Sequence, residues 1–245
     1  MEFLRNIRSL NDLVNKVKEY QNQLLAIIGI SFLLVGGFYG YSYYKQNREE
    51  KAYRTLVESL EYFNAPIKET ASEEGDLSFL GKKEFKSEPE KWAKVAEVFE
   101  KAAIDHRGSG LAPIFLAYQS EALIQLGKLP EAIAVLRNAV NRMGSGEVEW
   151  HFSTKLGVML LDTKNKEMVE EGLGILREIA ADETSSAHDL ALYHIGEYYW
   201  GDKQFKEAKN YWNQLLVKYG KSEKSPSPWA TAAKEKLRLI DFDVE

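Results

Sequence analysis

The sequence predicts an all-α protein in which a single N-terminal transmembrane helix precedes a solenoid of about four helix pairs and a capping helix. Three observations indicate this fold class. Residues 24–44 contain no charged side chain. Residues 91–216 repeat one pattern of small and large side chains, and the segments between the copies have the spacing of amphipathic helices.

Residues 1–23 form a predicted amphipathic leader. Apolar side chains recur there at helical spacing, and basic side chains occupy the other faces. The apolar positions are Phe3, Leu4, Ile7, Leu10, Leu13, Val14, Val17 and Tyr20, and the basic ones are Arg5, Arg8, Lys16 and Lys18. Such a helix either lies on an anionic membrane surface, docks on a partner or only leads into the next segment.

Residues 24–44 are the predicted transmembrane helix. A helix of this length can cross a hydrocarbon core of about 30 Å. The alternative is a cleaved signal peptide, but large aromatic side chains stand at 38–44, where a cleavage site needs small residues. The sequence therefore favours an uncleaved anchor. Basic residues are balanced on the two sides of the span, so charge alone does not orient it.

Small side chains on one stripe of this helix predict close packing with another membrane helix. The predicted packing positions are Ala26, Gly29, Leu33, Gly36 and Gly40. The alternative interpretation is that glycine is simply common in membrane helices.

Composition excludes several classes of function. The chain has 245 residues, 44% hydrophobic residues and a net charge of −5, which gives material for one core but no basic surface for nucleic acid. The absence of cysteine excludes disulfides, thiolate metal sites and thiol catalysis. We therefore expect no cofactor and no nucleic-acid partner, and a membrane and other proteins as partners.

Residues 45–245 form the predicted repeat domain. Its first helix, 46–63, places Ala52, Leu56, Ser59 and Phe63 on one stripe. Residues 64–90 interrupt the helical pattern with prolines and glycines, which predicts a long loop. Residues 226–241 are predicted to form a helix that caps the exposed end of the solenoid.

The repeated pattern consists of a small or apolar residue, a large one four positions later and another core residue three further on. The copies are Val95, Phe99 and Ala102; Ala132, Leu136 and Ala139; Gly172, Leu176 and Ile179; and Ala208, Trp212 and Leu215. The preceding helices match as well, with Leu116, Ser120 and Leu123 in one unit and Leu192, Gly196 and Tyr199 in another. Small residues are expected where the two helices of a hairpin cross closely.

This spacing resembles the tetratricopeptide (TPR) repeat, whose helix pairs stack into a solenoid. The order of parts also resembles the YfgM-like ancillary subunits of the bacterial Sec translocon: an amphipathic leader, a glycine-rich anchor ending in aromatics, the Gln-Asn-Arg-Glu-Glu-Lys-Ala-Tyr helix and degenerate TPR hairpins. That resemblance implies a cytoplasmic N-terminus, a periplasmic repeat domain in the inner membrane, and transfer of emerging proteins to periplasmic chaperones.

The first helix of each pair should line a concave face that binds a peptide. The predicted binding residues are Ile114, Ala117, Glu121, Ile124, His151, Thr154, Tyr193, Glu197 and Trp200. An error of one position in the repeat phasing rotates each side chain by about 100° and would move some of them into the core between repeats.

An enzyme is the less favoured class of function. His194 and Glu197 are one helical turn apart and His188 is near them in sequence, but a metal site needs three converging ligands. Residues 75–82 imitate a phosphate-binding loop without its spacing. The sequence instead predicts a binding module. This is either an interaction protein that serves protein export, or a membrane-tethered scaffold of an unrelated complex or a self-associating structural subunit, so an oligomer is possible.

Overall fold

The computed structural model describes residues 21–67, 83–163, 165–220 and 227–243, with side chains described from residue 30 to residue 240 of those ranges. Most of the predicted leader and the middle of the predicted loop lie outside this part. The chain divides into two compact units, Met1–Lys51 and Ala52–Glu245. Within the described ranges, the regular structure is nine α-helices, with an isolated bridge between Ile67 and Phe85.

The helices are numbered in chain order. They are α1 (Gln21–Phe63), α2 (Glu88–Asp105), α3 (Ala112–Gln125), α4 (Leu129–Val140), α5 (Glu147–Leu161), α6 (Lys166–Ala181), α7 (His188–Gly201), α8 (Phe205–Tyr219) and α9 (Pro228–Asp243). The predicted all-helical, repeat-like architecture is therefore confirmed.

In the first unit, α1 carries large apolar side chains that are exposed. Phe32, Leu33, Phe38, Tyr39 and Tyr43 are each more than two-thirds exposed. Among the residues that the structure describes, no helix is apolar over enough length to cross a membrane. Within the predicted span, the side chains of residues 24–29 lie outside the part of the chain whose side chains are described.

In the second unit, helices pair as hairpins in chain order. The closely packed pairs are α3 with α4, α5 with α6, and α7 with α8, each joined by a short connection. Helix α2 packs on α3, and α9 packs on α8 and α7. Because each pair buries an apolar face against the next, stacking supplies a continuous core that one pair alone lacks.

The core follows the predicted repeat positions. Ala132, Leu136 and Ala139 are completely buried, and so are Ala208 and Trp212 at the corresponding positions of α8. The same positions of α2 and α6 are buried as well. The prediction of these core positions from periodicity is confirmed.

Small residues let the paired helices cross closely. A Cβ atom added to Gly172 would lie 2.7 Å from the carbonyl oxygen of Gly157 in the facing helix, closer than real Cβ atoms approach an oxygen. In the preceding pair, Ser120 occupies the crossing and its Oγ donates to the Ala132 carbonyl at 2.8 Å. The polar hydroxyl is thereby buried without losing a hydrogen bond.

The C-terminal half of α1 covers the start of the stack. Ala52 and Ser59 are buried, and the Phe63 ring packs edge-on against Trp92 of α2 at 5.4 Å between centroids. Phe85, which follows the undescribed part of the loop, is also buried. These contacts explain the apolar stripe of the 46–63 segment.

Helix α9 covers the other end of the stack. Its Ala230, Ala233 and Ile240 are buried against α7 and α8. Ser227 caps α9, because its Oγ accepts from the backbone N–H groups of Trp229 at 3.2 Å and Ala230 at 3.4 Å. This helix occupies the segment predicted to cap the solenoid.

Candidate functional site

Three helices, α3, α5 and α7, are the first members of their pairs, and equivalent positions on them form one surface, which we call the first-helix face. When the helices are aligned on Ser120, Gly157 and Gly196, each contributes three side chains that are half-buried or exposed. The face comprises Ile114, Tyr118 and Glu121; His151, Lys155 and Val158; and Leu190, His194 and Glu197.

The predicted binding residues only partly coincide with this face. Ile114, Glu121, Ile124, His151, Glu197 and Trp200 are accessible to solvent. Ala117, Thr154 and Tyr193 are instead buried, with exposed fractions of 3%, 1% and 7%. These three share one repeat position, which faces the interior, so they belong to helix packing rather than to an open surface. A role in partner binding stays a prediction for the accessible residues.

The predicted binding set left out Val158 and Leu190, and it also left out Tyr118, Lys155 and His194, of which the sequence interpretation considered only His194, as a metal ligand. The last three occupy one repeat position, and each interacts with a residue from an earlier part of the stack. Tyr118 packs against Phe63 at 5.3 Å between ring centroids, and Lys155 donates a charge-assisted hydrogen bond to Glu121. His194 lies in the electrostatic field of Asp162 at the end of α5. Alignment of the three first helices on their small crossing residues would have found this position.

At the α7 end of the face, Glu197 gathers three donors. Tyr193 donates from its hydroxyl to Glu197 Oε1 at 2.9 Å, and Lys236 of α9 places Nζ 3.5 Å from the same oxygen. His194 Nδ1 lies 3.5 Å from Glu197 Oε2. The Lys236 ammonium also stands 3.9 Å from the centroid of the Trp200 ring, a cation–π distance.

Burial sets the protonation states in this cluster. It raises the pKa of Tyr193 to about 12, and the hydrogen bond to Glu197 acts in the same direction. Burial also lowers the pKa of His194, although the nearby Glu197 carboxylate partly opposes this shift. At neutral pH Tyr193 therefore remains a hydrogen-bond donor and His194 is uncharged, so Lys236 supplies the cation that faces Glu197.

The His194 and Glu197 pair does not form a metal site with His188. His188 Nδ1 lies 3.1 Å from the Tyr219 hydroxyl of α8, and its ring is buried. In the part of the chain that the structure describes, no three His, Asp or Glu side chains converge as metal ligands.

The predicted helix-packing stripe lies on α1 in the first unit. Leu33, Gly36 and Gly40 are exposed, and a Cβ atom added at either glycine would meet no described atom within 4 Å. The side chain of Ala26 and the position of Gly29 lie outside the residues whose surroundings are described. Packing of this stripe on another membrane helix stays a prediction.

Stacked helix hairpins with a shared core define this chain as a helical-repeat protein. Residues 190–222, which include most of α7 and all of α8, match the family model for the tetratricopeptide repeat. This match and the all-helical repeat-like fold support a TPR-type protein. No curated protein matches the chain. No solved structure matches it either.

Proposed function

We propose that this protein is a TPR-type interaction module whose first-helix face binds a segment of a partner protein. The observation that carries the proposal is the TPR match over residues 190–222, which include the side chains that α7 contributes to the face, Leu190, His194 and Glu197. Helical repeats of this type are typically non-catalytic scaffolds, and their binding surfaces are built from successive helices.

The chemistry of the face suits an amphipathic peptide. Ile114, Val158 and Leu190 supply one apolar side chain from each first helix, and the Glu121–Lys155 ion pair joins α3 to α5 on the same face. A helical or extended segment with apolar side chains on one side can use these contacts, and polar groups at its rim can exchange with the ion pair.

Photocrosslinking in native membranes tests this proposal. A photoreactive residue at Val158 should yield a discrete adduct with another protein, whereas the same residue at Asn213, exposed on α8, should not. Equal adducts from both positions, or none from Val158, would contradict binding at the first-helix face.

We further propose that residues 24–44 anchor this module in a membrane. The support is the uncharged sequence of the span and the exposure of its large apolar side chains from Phe32 onward, since such side chains are stable when lipid surrounds them. Alkaline carbonate extraction of membranes should leave the chain in the pellet. Its release into the supernatant would contradict an integral anchor.

The resemblance to YfgM-like subunits supports a more specific role. On that basis the protein is an accessory subunit of the Sec translocon in a bacterial inner membrane, with a periplasmic repeat domain that passes emerging proteins to chaperones. Protease added to spheroplasts should then degrade the repeat domain. Full protection of the domain would reverse the proposed topology.

A membrane-tethered scaffold that self-associates is the alternative function. The exposed Gly36 and Gly40 stripe supports it, because small residues allow two copies of α1 to approach closely. Purification in mild detergent distinguishes the two. Recovery of translocon subunits favours the accessory role, and a single homo-oligomer without them favours the scaffold.

A further inference from the structure

A second set of surfaces lies between the second helices of successive pairs. The groove between α4 and α6, floored by α5, encloses about 520 Å³. The groove between α2 and α4, floored by α3, has the same volume. None of the nine side chains of the first-helix face lines either groove. These grooves are therefore a separate feature of the stack.

At the equivalent place between α6 and α8, two of the protein's own aromatic rings pack together. Tyr199 and Tyr211 stack there with their centroids 5.8 Å apart and their planes 11° from parallel. Arg177 donates to the Tyr199 hydroxyl at 2.6 Å. An aromatic pair with a guanidinium at its edge therefore fits this kind of groove, and the arrangement gains both stacking and a charge-assisted hydrogen bond.

The groove between α4 and α6 has the same frame with smaller side chains. The positions that correspond to Tyr199 and Tyr211 are Leu160 and Ile175. Leu160 is completely buried, whereas Ile175 is half-buried and lines the cavity, so the position that carries Tyr211 in the next pair carries a smaller side chain beside open space here. The half-buried indole of Trp150 adds an aromatic surface to its lining.

The lining of this groove is acidic. Its carboxylates are Glu149, Glu171, Glu178 and Asp182. Arg137 is the basic residue among the lining side chains, and it is already held by Glu171, with Nε donating to Oε1 and Nη2 to Oε2, both at 2.9 Å. Of the other three, Glu149 accepts a hydrogen bond from the Ser153 hydroxyl, and Asp182 accepts from the backbone N–H and hydroxyl of Thr184. The negative charge of the three carboxylates beside the apolar floor favours a cation on anything that binds there.

We propose that the groove between α4 and α6 is a second docking surface, which binds a segment of a partner protein that carries an aromatic side chain next to lysine or arginine. The groove volume lies within the range of about 300–1,000 Å³ typical of binding pockets. The aromatic ring takes the place that Tyr211 takes beside α6 and α7, and the cation meets the carboxylates of Glu149, Glu178 and Asp182. This inference does not depend on what the first-helix face binds.

Binding of labelled synthetic peptides to the purified full-length chain tests the inference. The probes are three peptides of equal length, one rich in Lys and Tyr, one rich in Glu and Tyr, and one rich in Lys and Ala. Fluorescence anisotropy should show the Lys-Tyr peptide binding about tenfold more tightly than either of the others, because only that peptide supplies both the ring and the cation. Equal affinities for the three probes would overturn the proposal.

Two groove variants with matched controls locate the site. Ile175→Tyr fills the groove and Glu178→Lys reverses one exposed carboxylate, and each should weaken binding of the Lys-Tyr peptide about fivefold. The controls Asn213→Tyr and Glu235→Lys introduce the same residues, tyrosine and lysine, at exposed positions of α8 and α9. They should change the affinity for the Lys-Tyr peptide by less than about twofold.

Thermal unfolding of each variant shows whether it is still folded. Because Glu178 is exposed, Glu178→Lys should retain the fold even if Ile175→Tyr does not. An unchanged affinity in folded Glu178→Lys would overturn the proposal. The proposal would also be overturned if Val158→Arg, on the first-helix face, lost binding while the groove variants kept it.

Discussion

Glycines at the helix crossings determine how closely the hairpins of this protein pack. Gly157 and Gly172 face each other in the α5–α6 pair, and Gly196 lies directly under the buried indole of Trp212 in the α7–α8 pair. Gly174, in contrast, is exposed, and a Cβ atom added there would meet no side chain or facing helix within 4 Å. The same residue type is therefore required at one set of positions and dispensable at another.

Gly196→Ala should destabilise the repeat domain by about 1–3 kcal/mol, because the new Cβ atom would overlap the Trp212 ring and strain its hydrogen bond to the Tyr193 carbonyl. Urea unfolding followed by tryptophan fluorescence measures the change. Gly174→Ala is the matched control and should stabilise the domain by about 0.5–1 kcal/mol, because alanine restricts the unfolded chain. Two variants with the same midpoint would contradict the crossing geometry.

Ala208→Leu tests the neighbouring small site of the same hairpin. Ala208 is completely buried, so the added side chain should overpack the crossing and lower the free energy of unfolding by about 1–3 kcal/mol. Asn213→Ala, five positions later and exposed, should change it by less than about 0.5 kcal/mol. Similar thermal midpoints for the two variants would show that the repeat phasing is wrong.

At the scale of the helices, the two ends of the stack need helices that cover them, because each repeat buries only the faces that contact a neighbouring repeat. The C-terminal half of α1 covers the first pair with an aromatic cluster around Phe63 and Phe99. Helix α9 covers the last pair and is tied down by Ser227, whose hydroxyl donates to Asp189 Oδ2 of α7 at 2.6 Å. One side chain thus starts α9 and attaches it to α7.

Ser227→Ala should lower the free energy of unfolding by about 1–2 kcal/mol, because it removes the cap of α9 and leaves Asp189 without this donor. Hydrogen exchange should also become faster in α9 than in α4. Glu235→Ala, an exposed change within α9, should alter stability by less than about 0.5 kcal/mol. Unchanged exchange in α9 of the Ser227 variant would refute the role of this cap.

At the scale of the whole repeat domain, two histidines link stability to pH. His188 is buried beside Lys218 and Tyr219, and burial is the main cause that lowers its pKa from the ordinary value of 6.5, with the Lys218 charge adding to it. The carboxylates of Glu183, Asp189 and Asp182 oppose the shift without reversing it. The pKa of His194 is lowered by burial as well. Protonation of both rings is therefore easier in the unfolded chain.

The stability of the domain should fall as the pH drops from about 7 to about 5, because the unfolded state binds more protons wherever the folded pKa lies below the unfolded one. Asp182 does not interfere, since its pKa is lowered from 3.8 and its contribution is lost only at more acidic pH. Urea midpoints should be measured across this pH range for the original protein and for the His188→Gln, His194→Gln double variant. The midpoint should depend less steeply on pH in the double variant. Identical slopes in both proteins would contradict the assignment.

Periodicity in the sequence was sufficient to predict the all-helical, repeat-like architecture and the core positions of the repeats. A side chain that is buried in each of several stacked pairs must recur at the same place in every copy, so Leu136, Leu176 and Trp212 could be aligned without coordinates. The small residues at the crossings followed from the same alignment, because two helices approach closely only where side chains are short.

The tertiary structure decided the surfaces, because these depend on where one helix lies relative to another. Rotation by one position separates the buried Thr154 from the accessible Lys155, and no pattern within a single helix distinguishes them. The contact of Lys236 with Glu197 and Trp200 joins helices that are far apart in the chain. Whether a groove is open or filled is also a property of packing, since it depends on side chains from three helices that meet only when the repeats stack.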